Sequence, residues 1–491
     1  MIKYPTCIDG QFAIIAPSQG ANHESGEKFT AELALAGGVR VRTHGELDVV
    51  RVLDPQGATI GLFLGDVVDN SVGAVLDRDF VQEGPNDVSS IDPWIERNVY
   101  RYSGRHIFVL SCAHGNRIYL DAGGMLPVVY DSSKRAAGST AAAILSPDEF
   151  EERFDRDLFE TLGIFRDGWF PAGLTAHHGL NRLLPNFYLD LDTWLPHRHW
   201  PLRQIEADPD PHRVIREIGQ EIRRNVAPYL GAGDLFLALT GGYETRLILS
   251  VCRDIADRVR FVCFFKTEGD RDLLLAQALA RRLGVKLDTH EFAVASDDEA
   301  MEWVARSGYC AGEGRYSHAT LKKLSADAHL VGGVAGEVGR GFFWRPKDDS
   351  TRRLTAADIV SRMALPRATA VDTAVSQWHQ TVEDFDPLLQ LDLAYLELRV
   401  SCWAAVQAYS TLKPRRVYPL VSRRIFTGML MLPPDWRRDE RWIREAIRDS
   451  WPEALDVPFN SLGVVKDNLL LIRRAASRPG LIVRRIKRKF L

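Results

Sequence analysis

Beyond about residue 213, apolar positions alternate between helical spacing and short unbroken runs. Val214 to Val226 reads as an amphipathic helix, Asp234 to Leu239 as a strand, and Tyr243 to Asp254 as a helix whose Leu247, Ile248 and Val251 make one apolar face. Val259 to Phe265 follows as a second strand, Asp270 to Leu283 as a helix capped by Gly284, and Val285 to Phe292 as a third strand. Strands alternating with helices predict a parallel sheet with crossover helices. Ligands of such sheets bind beyond the carboxyl ends of the strands.

The first 150 residues carry a different rhythm. Gln11 to Ile15, Val39 to Arg42, Ala58 to Asp66, His106 to Leu110 and Asn116 to Leu120 are β-rich and mostly bounded by Gly, Pro, Asp or Ser, so they predict a layered, sheet-rich domain. Residues 151–212 read as a connecting region: a helix over Phe150 to Phe159, a break around Pro171, then loop or short strand through Asn181 to Asp190 and His197 to Pro201. The expected division is 1–150, 151–212 and 213–491.

Composition narrows the function classes. The 491 residues are 45% hydrophobic and 26% charged, with a formal net charge of −3. Such a chain has ample core and no reason to bind nucleic acid. No apolar run suits a signal peptide or a transmembrane span, so a cytoplasmic location is expected. Its six cysteines, Cys7, Cys112, Cys252, Cys263, Cys310 and Cys402, lack zinc or disulfide spacing, and Cys7 reads as a buried apolar residue. His177, His178, His197 and His199 have no accompanying carboxylate or cysteine pattern and are not read as ligands. A C-terminal group of Arg484, Arg485, Lys487, Arg488 and Lys489 reads as a solvated helix end, with an acidic peptide or membrane surface as the alternative.

The candidate chemistry centres on Leu239-Thr240-Gly241-Gly242-Tyr243-Glu244-Thr245. Two glycines let backbone N–H groups approach an anion, a threonine hydroxyl can donate to it, and the following helix start adds a positive dipole. Neither a GxxxxGK[ST] loop nor a GxGxxG fingerprint fits. The segment resembles the pyrophosphate loop of the asparagine synthetase family, whose pattern is Ser-Gly-Gly-x-Asp-Ser after a parallel strand. Val331-Gly332-Gly333-Val334-Ala335-Gly336-Glu337, leading to Phe342-Phe343, resembles the second family element, Ser-Gly-x-Gly-x-Asp-Glu, with Gly336 where the family has aspartate. Tyr395 to Arg399, Trp403 and Arg415 to Ser422 resemble the helix and the Glu-x-Arg-Val-Pro-Phe-Leu-Asp segment that close the substrate side, without the acids. Val457 to Asn460 with Lys466 resembles the late lysine element, and Tyr102 to Tyr130 the end of the family's glutaminase domain.

This resemblance implies an α/β chain. A sheet-rich, Ntn-hydrolase-like N-terminal domain of the class II glutamine amidotransferase type precedes a PP-loop (adenine nucleotide alpha hydrolase-like) synthetase domain. It implies ATP and Mg2+ as cofactors: Leu239, Thr240, Gly241, Gly242, Glu244, Thr245, Phe265, Gly332 and Gly333 hold the nucleotide, Glu244 and Glu337 hold the metal, and Lys466 and Glu337 serve catalysis. The expected activity is AMP-forming amide synthesis, in which a carboxylate is adenylated and an amine displaces AMP. Met1 is followed by Ile2 rather than cysteine, so the glutaminase is expected to be silent. The β-lactam synthetases and lasso-peptide macrolactam synthetases share that loss. The partner is then a carboxylate- and amine-bearing substrate, a precursor peptide among the options, or free ammonia supplies the amine. Tyr309, Glu313 and His318 are candidate bases by position. Replacement of the expected aspartates also fits a nucleotide-binding pseudoenzyme.

Overall fold

The computed structural model describes residues 2–16, 29–166, 168–411 and 413–461. Lys466 and the basic C-terminal group lie outside them. The described chain is mixed α/β, with two antiparallel-type sheets in its first two hundred residues and a parallel sheet after them. Six strands run in the order Asn181–Arg182, Val129–Asp131, Ala136–Gly138, Gln11–Ile15, Arg40–His44 and Ala31–Ala34, every neighbour antiparallel. Thr59–Asp69 and Ser103–Cys112 form the spine of the second sheet, and Gly115–Leu120, Phe187–Asp190 and Pro196–Arg198 extend it on one side. Val49–Leu53 and Phe80–Val81 extend it on the other. Phe12, Ile14 and Val41 of one sheet and Leu62, Phe108 and Tyr119 of the other are buried in one apolar cluster.

Two features differ from the sequence reading. The 151–212 region is not a separate connector: Asn181–Arg182 pairs with Val129–Asp131, and Phe187–Asp190 pairs with Gly115–Leu120, so it supplies strands to both sheets. Backbone pairing across long separations carries no local sequence signal. The single helix expected over Phe150 to Phe159 is two, Pro147–Glu152 and Arg156–Leu162. Asp155 separates them, its backbone N–H bonded to Ala176 O at 2.9 Å and its carboxylate capping Leu158 N at 2.9 Å.

The parallel sheet runs Leu287–Glu291, Arg260–Phe265, Leu235–Ala238, His329–Val331 and Arg415–Val417, with all neighbours parallel. Its crossovers are helical, including Tyr243–Val251 and Arg271–Leu283, the latter ending at Gly284 with φ +69°. Leu235–Ala238 occupies the middle, where both neighbours shield it, and it reads as an unbroken apolar run for that reason. The helix before it, Pro211–Val226, is capped by Asp210 on Arg213 N at 3.0 Å and buries Val214, Ile215, Ile218, Ile222 and Val226.

The two halves are joined by buried polar contacts. Ser103 Oγ donates to Asn225 Oδ1 at 2.8 Å, Asn225 Nδ2 donates to Pro419 O at 2.8 Å, and Arg415 pairs with Asp48 and, at 3.0 Å, with Asp66. The strongest junction is at Glu397, which is fully buried. It accepts from Arg198 Nη1 at 2.8 Å and Nη2 at 2.7 Å, from Asn186 Nδ2 at 2.8 Å and from Trp378 Nε1 at 2.6 Å. Charge, fork geometry and remaining lone pairs are all matched, which is the condition under which a buried ion pair offsets its desolvation. Glu397→Gln would strand the Arg198 guanidinium without a counter-charge. We expect it to lower unfolding free energy by about 3–5 kcal/mol, read by denaturant titration, with Arg198→Met in the same chain restoring part of the loss.

Candidate functional site

The middle strand ends at Ala238, and Leu239 N donates to Val262 O at 2.8 Å before the chain turns. Thr240, Gly241 and Gly242 make the turn, and the Tyr243–Val251 helix starts with Gly242 as N-cap and no side chain capping it. A helix start capped by glycine leaves first-turn N–H groups for an external acceptor. Thr240 Oγ1 and Thr245 Oγ1 lie 3.0 Å apart and Gly242 N donates to Thr240 Oγ1 at 3.2 Å, so both hydroxyls face the turn. Gly241 has a second duty: a Cβ there would meet Leu275 Cδ1 at 2.3 Å, so the turn packs against the next helix.

His329–Val331 lies beside the middle strand in parallel, which sets the turn that follows it next to Thr240–Gly242. The contact is close. A Cβ on Gly333 would meet Glu244 Cβ at 2.5 Å, and one on Gly336 would meet Glu244 Cγ at 2.5 Å and Leu420 Cδ1 at 2.9 Å. The departure at Gly336 is therefore steric as well as chemical: as folded, there is no space for an aspartate side chain. Gly332 has open space where a Cβ would stand and donates its N–H to Val417 O at 3.0 Å.

Glu244 and Glu337 face one another here. Burial first, and the Glu337 carboxylate second, push Glu244 up to about 7, against the pull of Arg340. Arg340 Nη2 stands 2.5 Å from Glu244 Oε1 and 3.9 Å from Glu337 Oε1, while Glu337 Oε2 is buried without a hydrogen-bond partner. Tyr395 turns its hydroxyl to Glu337, and burial with that neighbouring charge holds its proton well beyond the usual phenol range. Two converging carboxylates with an unsatisfied oxygen are a hard-cation donor set, and magnesium characteristically takes only one or two carboxylates from protein, the rest from phosphate and water. The residues fit such an ion. Among the described residues no cluster of three or more acidic, histidine or cysteine side chains exists to form a complete protein cage.

A wall closes one side. Tyr243 stacks on Phe459 with ring centroids 4.3 Å apart and planes 7° apart, Arg444 Nη2 donates to the Tyr243 hydroxyl at 3.0 Å, and Asn460 N donates to Gly241 O at 2.9 Å. Arg246, pulled down to about 10 by burial, holds this segment through Ala454 O, Val457 O and Pro458 O. The strand leading to Phe265 is adjacent to the middle strand.

Arg444 and Asp272, whose Oδ1 accepts from Gly241 N at 3.4 Å, escaped the sequence reading, while Arg340, Tyr395 and Asn460 lay inside its motifs without a role at the site. Other candidates are engaged elsewhere. Tyr309 accepts from Lys3 N at 2.8 Å, Glu313 pairs with Arg315, and His318 lies against Trp303, pushed down to about 4 by burial. Cys7 is half-buried rather than buried, because its segment runs along the surface with Cys7 N bonded to Glu302 at 3.3 Å. His177 packs between Phe150 and Phe154 and His199 bonds Tyr100 at 3.0 Å, so the four histidines do not converge.

No protein-family model matches the chain, and no curated protein matches it. Among solved structures it is similar to glutamine-dependent NAD+ synthetase from Acinetobacter baumannii in complex with adenosine diphosphate, at 16% identity over 43% of this chain and 40% of that one, TM-score 0.17. NMN synthetase from Francisella tularensis is similar at 11% identity over 48% and 97% of the two chains, TM-score 0.17. Glutamine phosphoribosylpyrophosphate amidotransferase from B. subtilis, complexed with ADP and GMP, is similar at 10% identity over 68% and 71%, TM-score 0.20. This chain spans less than half the length of the NAD+ synthetase. The functional reading stands on the geometry of the site.

The contact between Glu244 and Gly336 is directly testable. Gly336→Ala should cost about 1–3 kcal/mol by overpacking. In a Glu244→Ala background the nearest Glu244 atom left would be Cβ at 3.5 Å and only Leu420 Cδ1 at 2.9 Å would still have to shift, so the same change should cost less. Equal costs in a denaturant double-mutant cycle would disprove the contact.

Proposed function

We propose that this chain is an ATP-dependent amide ligase of the asparagine synthetase type, which activates a substrate carboxylate as an acyl-adenylate and passes it to an amine. The observation that carries the reading is an uncapped helix start at the carboxyl end of the middle parallel strand, with Glu244 and Glu337 facing each other at its mouth. A nucleotide triphosphate needs both parts.

In this reading, Thr240, Gly241, Gly242 and Thr245 offer hydroxyl and backbone donors to the leaving pyrophosphate, and the helix dipole stabilises the charge that develops on it. Magnesium would neutralise phosphate charge while held by Glu244 and Glu337. Gly332 and Gly333 leave backbone room for the nucleotide, with Phe265 and Leu239 at the adjoining strand ends. Arg340 exchanges its carboxylate partners for phosphate oxygens, a pairing that its guanidinium fork suits. Lys466 is assigned to the acyl-phosphate side by resemblance alone. The amine in this reading is one carried by the substrate, or free ammonia.

Arg340 also supports a second reading. An arginine already pairing with both acids supplies the charge a cation would bring, as expected of a pseudoenzyme that binds nucleotide or a partner without turnover. The two readings differ in pyrophosphate exchange. For the ligase, the native chain catalyses magnesium-dependent ATP–pyrophosphate exchange with its cognate carboxylate, and Glu244→Gln abolishes it while circular dichroism stays native. Unchanged exchange removes Glu244 from the mechanism. For the pseudoenzyme, exchange is absent from the native chain across carboxylate and amine substrates, and Arg340→Met strengthens magnesium binding.

A further inference from the structure

A second cationic feature adjoins the candidate site and has no role in the chemistry above. Residues Ala394–Ala404 form eleven residues of π-helix, an uncommon geometry that recurs at functional sites. Arg399 lies on it, half-buried, with its guanidinium 4.5 Å from the Trp169 ring centroid, 5.1 Å from Trp403 and 5.4 Å from Phe342. Among the described residues no carboxylate lies within ion-pair distance of it, although Arg340, Arg362 and Arg437 all have acidic partners. Three rings hold the charge in place and leave its hydrogen-bond donors unmatched by an anion.

Two of the three rings are exposed, so the box is open to solvent on one side. Trp169 is its buried floor, fixed by Nε1–H donation to Leu398 O at 2.9 Å. Phe342 and Trp403 are 47% and 41% exposed, a large apolar surface for a protein to leave in water. Phe342 packs on Tyr395 with centroids 4.7 Å apart, and Tyr395 faces Glu337. Ring contacts through Phe342 and Tyr395 thus lead from Arg399 to the acid pair. Arg399 is a second cation beside the site, distinct from Arg340, which pairs with both acids.

We propose that Arg399, with Trp403 and Phe342, is a substrate-anchoring subsite that binds a second, non-reacting carboxylate carried on a flat apolar group. A carboxylate accepts two parallel N–H bonds from a guanidinium, and an aromatic or similarly flat body covers the exposed rings beside it. Its assignment to substrate rests on the ligase reading; the subsite itself can be tested without turnover.

Benzoate is the probe, with benzyl alcohol as the uncharged control of the same ring. In full-length protein labelled at the indole nitrogens, assigned through Trp403→Phe and Trp169→Phe, benzoate should shift the Trp403 and Trp169 resonances saturably. Benzyl alcohol should bind roughly tenfold or more weakly, as loss of a charge-assisted pair implies. Arg399→Gln should reduce benzoate to the level of benzyl alcohol, and Arg399→Lys should keep part of the difference; ATP binding should be unchanged in both. Three results would overturn the proposal: benzoate moving neither indole, equal binding of the two probes, or unaltered benzoate binding in a folded Arg399→Gln protein. Equal binding would mark an apolar docking face only. The benzoate contrast in the native chain stands even if a variant misfolds. It is also independent of pyrophosphate exchange, so failure of the ligase reading would be seen separately.

Discussion

The close approach of the Tyr243–Val251 helix to the turn that follows His329–Val331 fixes the geometry of the candidate site. Gly333 and Gly336 have no Cβ, and the Glu244 side chain occupies the space one would take. That approach brings Glu244 against Glu337, where burial first and the like charge second raise the proton affinity of Glu244 and draw in a cation. Arg340 answers this demand in the protein by itself. Whatever binds here must therefore either replace the arginine between the acids or use it, and a polyanion with a bound metal can do both.

Positioning of that pair depends on contacts far from it. The middle strand is held on both sides by parallel neighbours, so the two turns emerge at the same edge. The Ala394–Ala404 segment supplies Tyr395 to Glu337, Arg399 to the aromatic box, and Glu397 to the buried Arg198 junction. Residue 397 faces the first half of the chain while 395 and 399 face the site region. A π-helical backbone spaces these three duties, and the matched donors on Glu397 hold the segment in register.

Much of the fold was legible. Unbroken apolar runs alternating with helical spacing mark a parallel sheet, because strands covered on both faces lose their polar alternation. Predicted strand limits such as Gln11 to Ile15 and Val259 to Phe265 match the observed ones within a residue or so. That the 151–212 region joins both sheets was not legible, although short strands were expected there, because the pairing partner of an edge strand of two or three residues, such as Asn181–Arg182, has no local pattern. At the site, Thr240, Gly241, Gly242 and Glu244 stood out from local chemistry. Arg340 and Arg444 did not, since an arginine in isolation reads as solvated surface.

Sequence by itself determined the order of elements, the glycine-containing turn at a strand end and the acids that follow it, because these depend on residues within one or two turns of chain. Only the tertiary structure decided what those acids meet. That Gly336 leaves no space for a side chain, that Arg340 stands between Glu244 and Glu337, and that Arg399 is boxed by rings from residues 169, 342 and 403 are facts of long-range packing. Such contacts are set by which strands lie side by side, and strand order is not written in any local stretch of the chain.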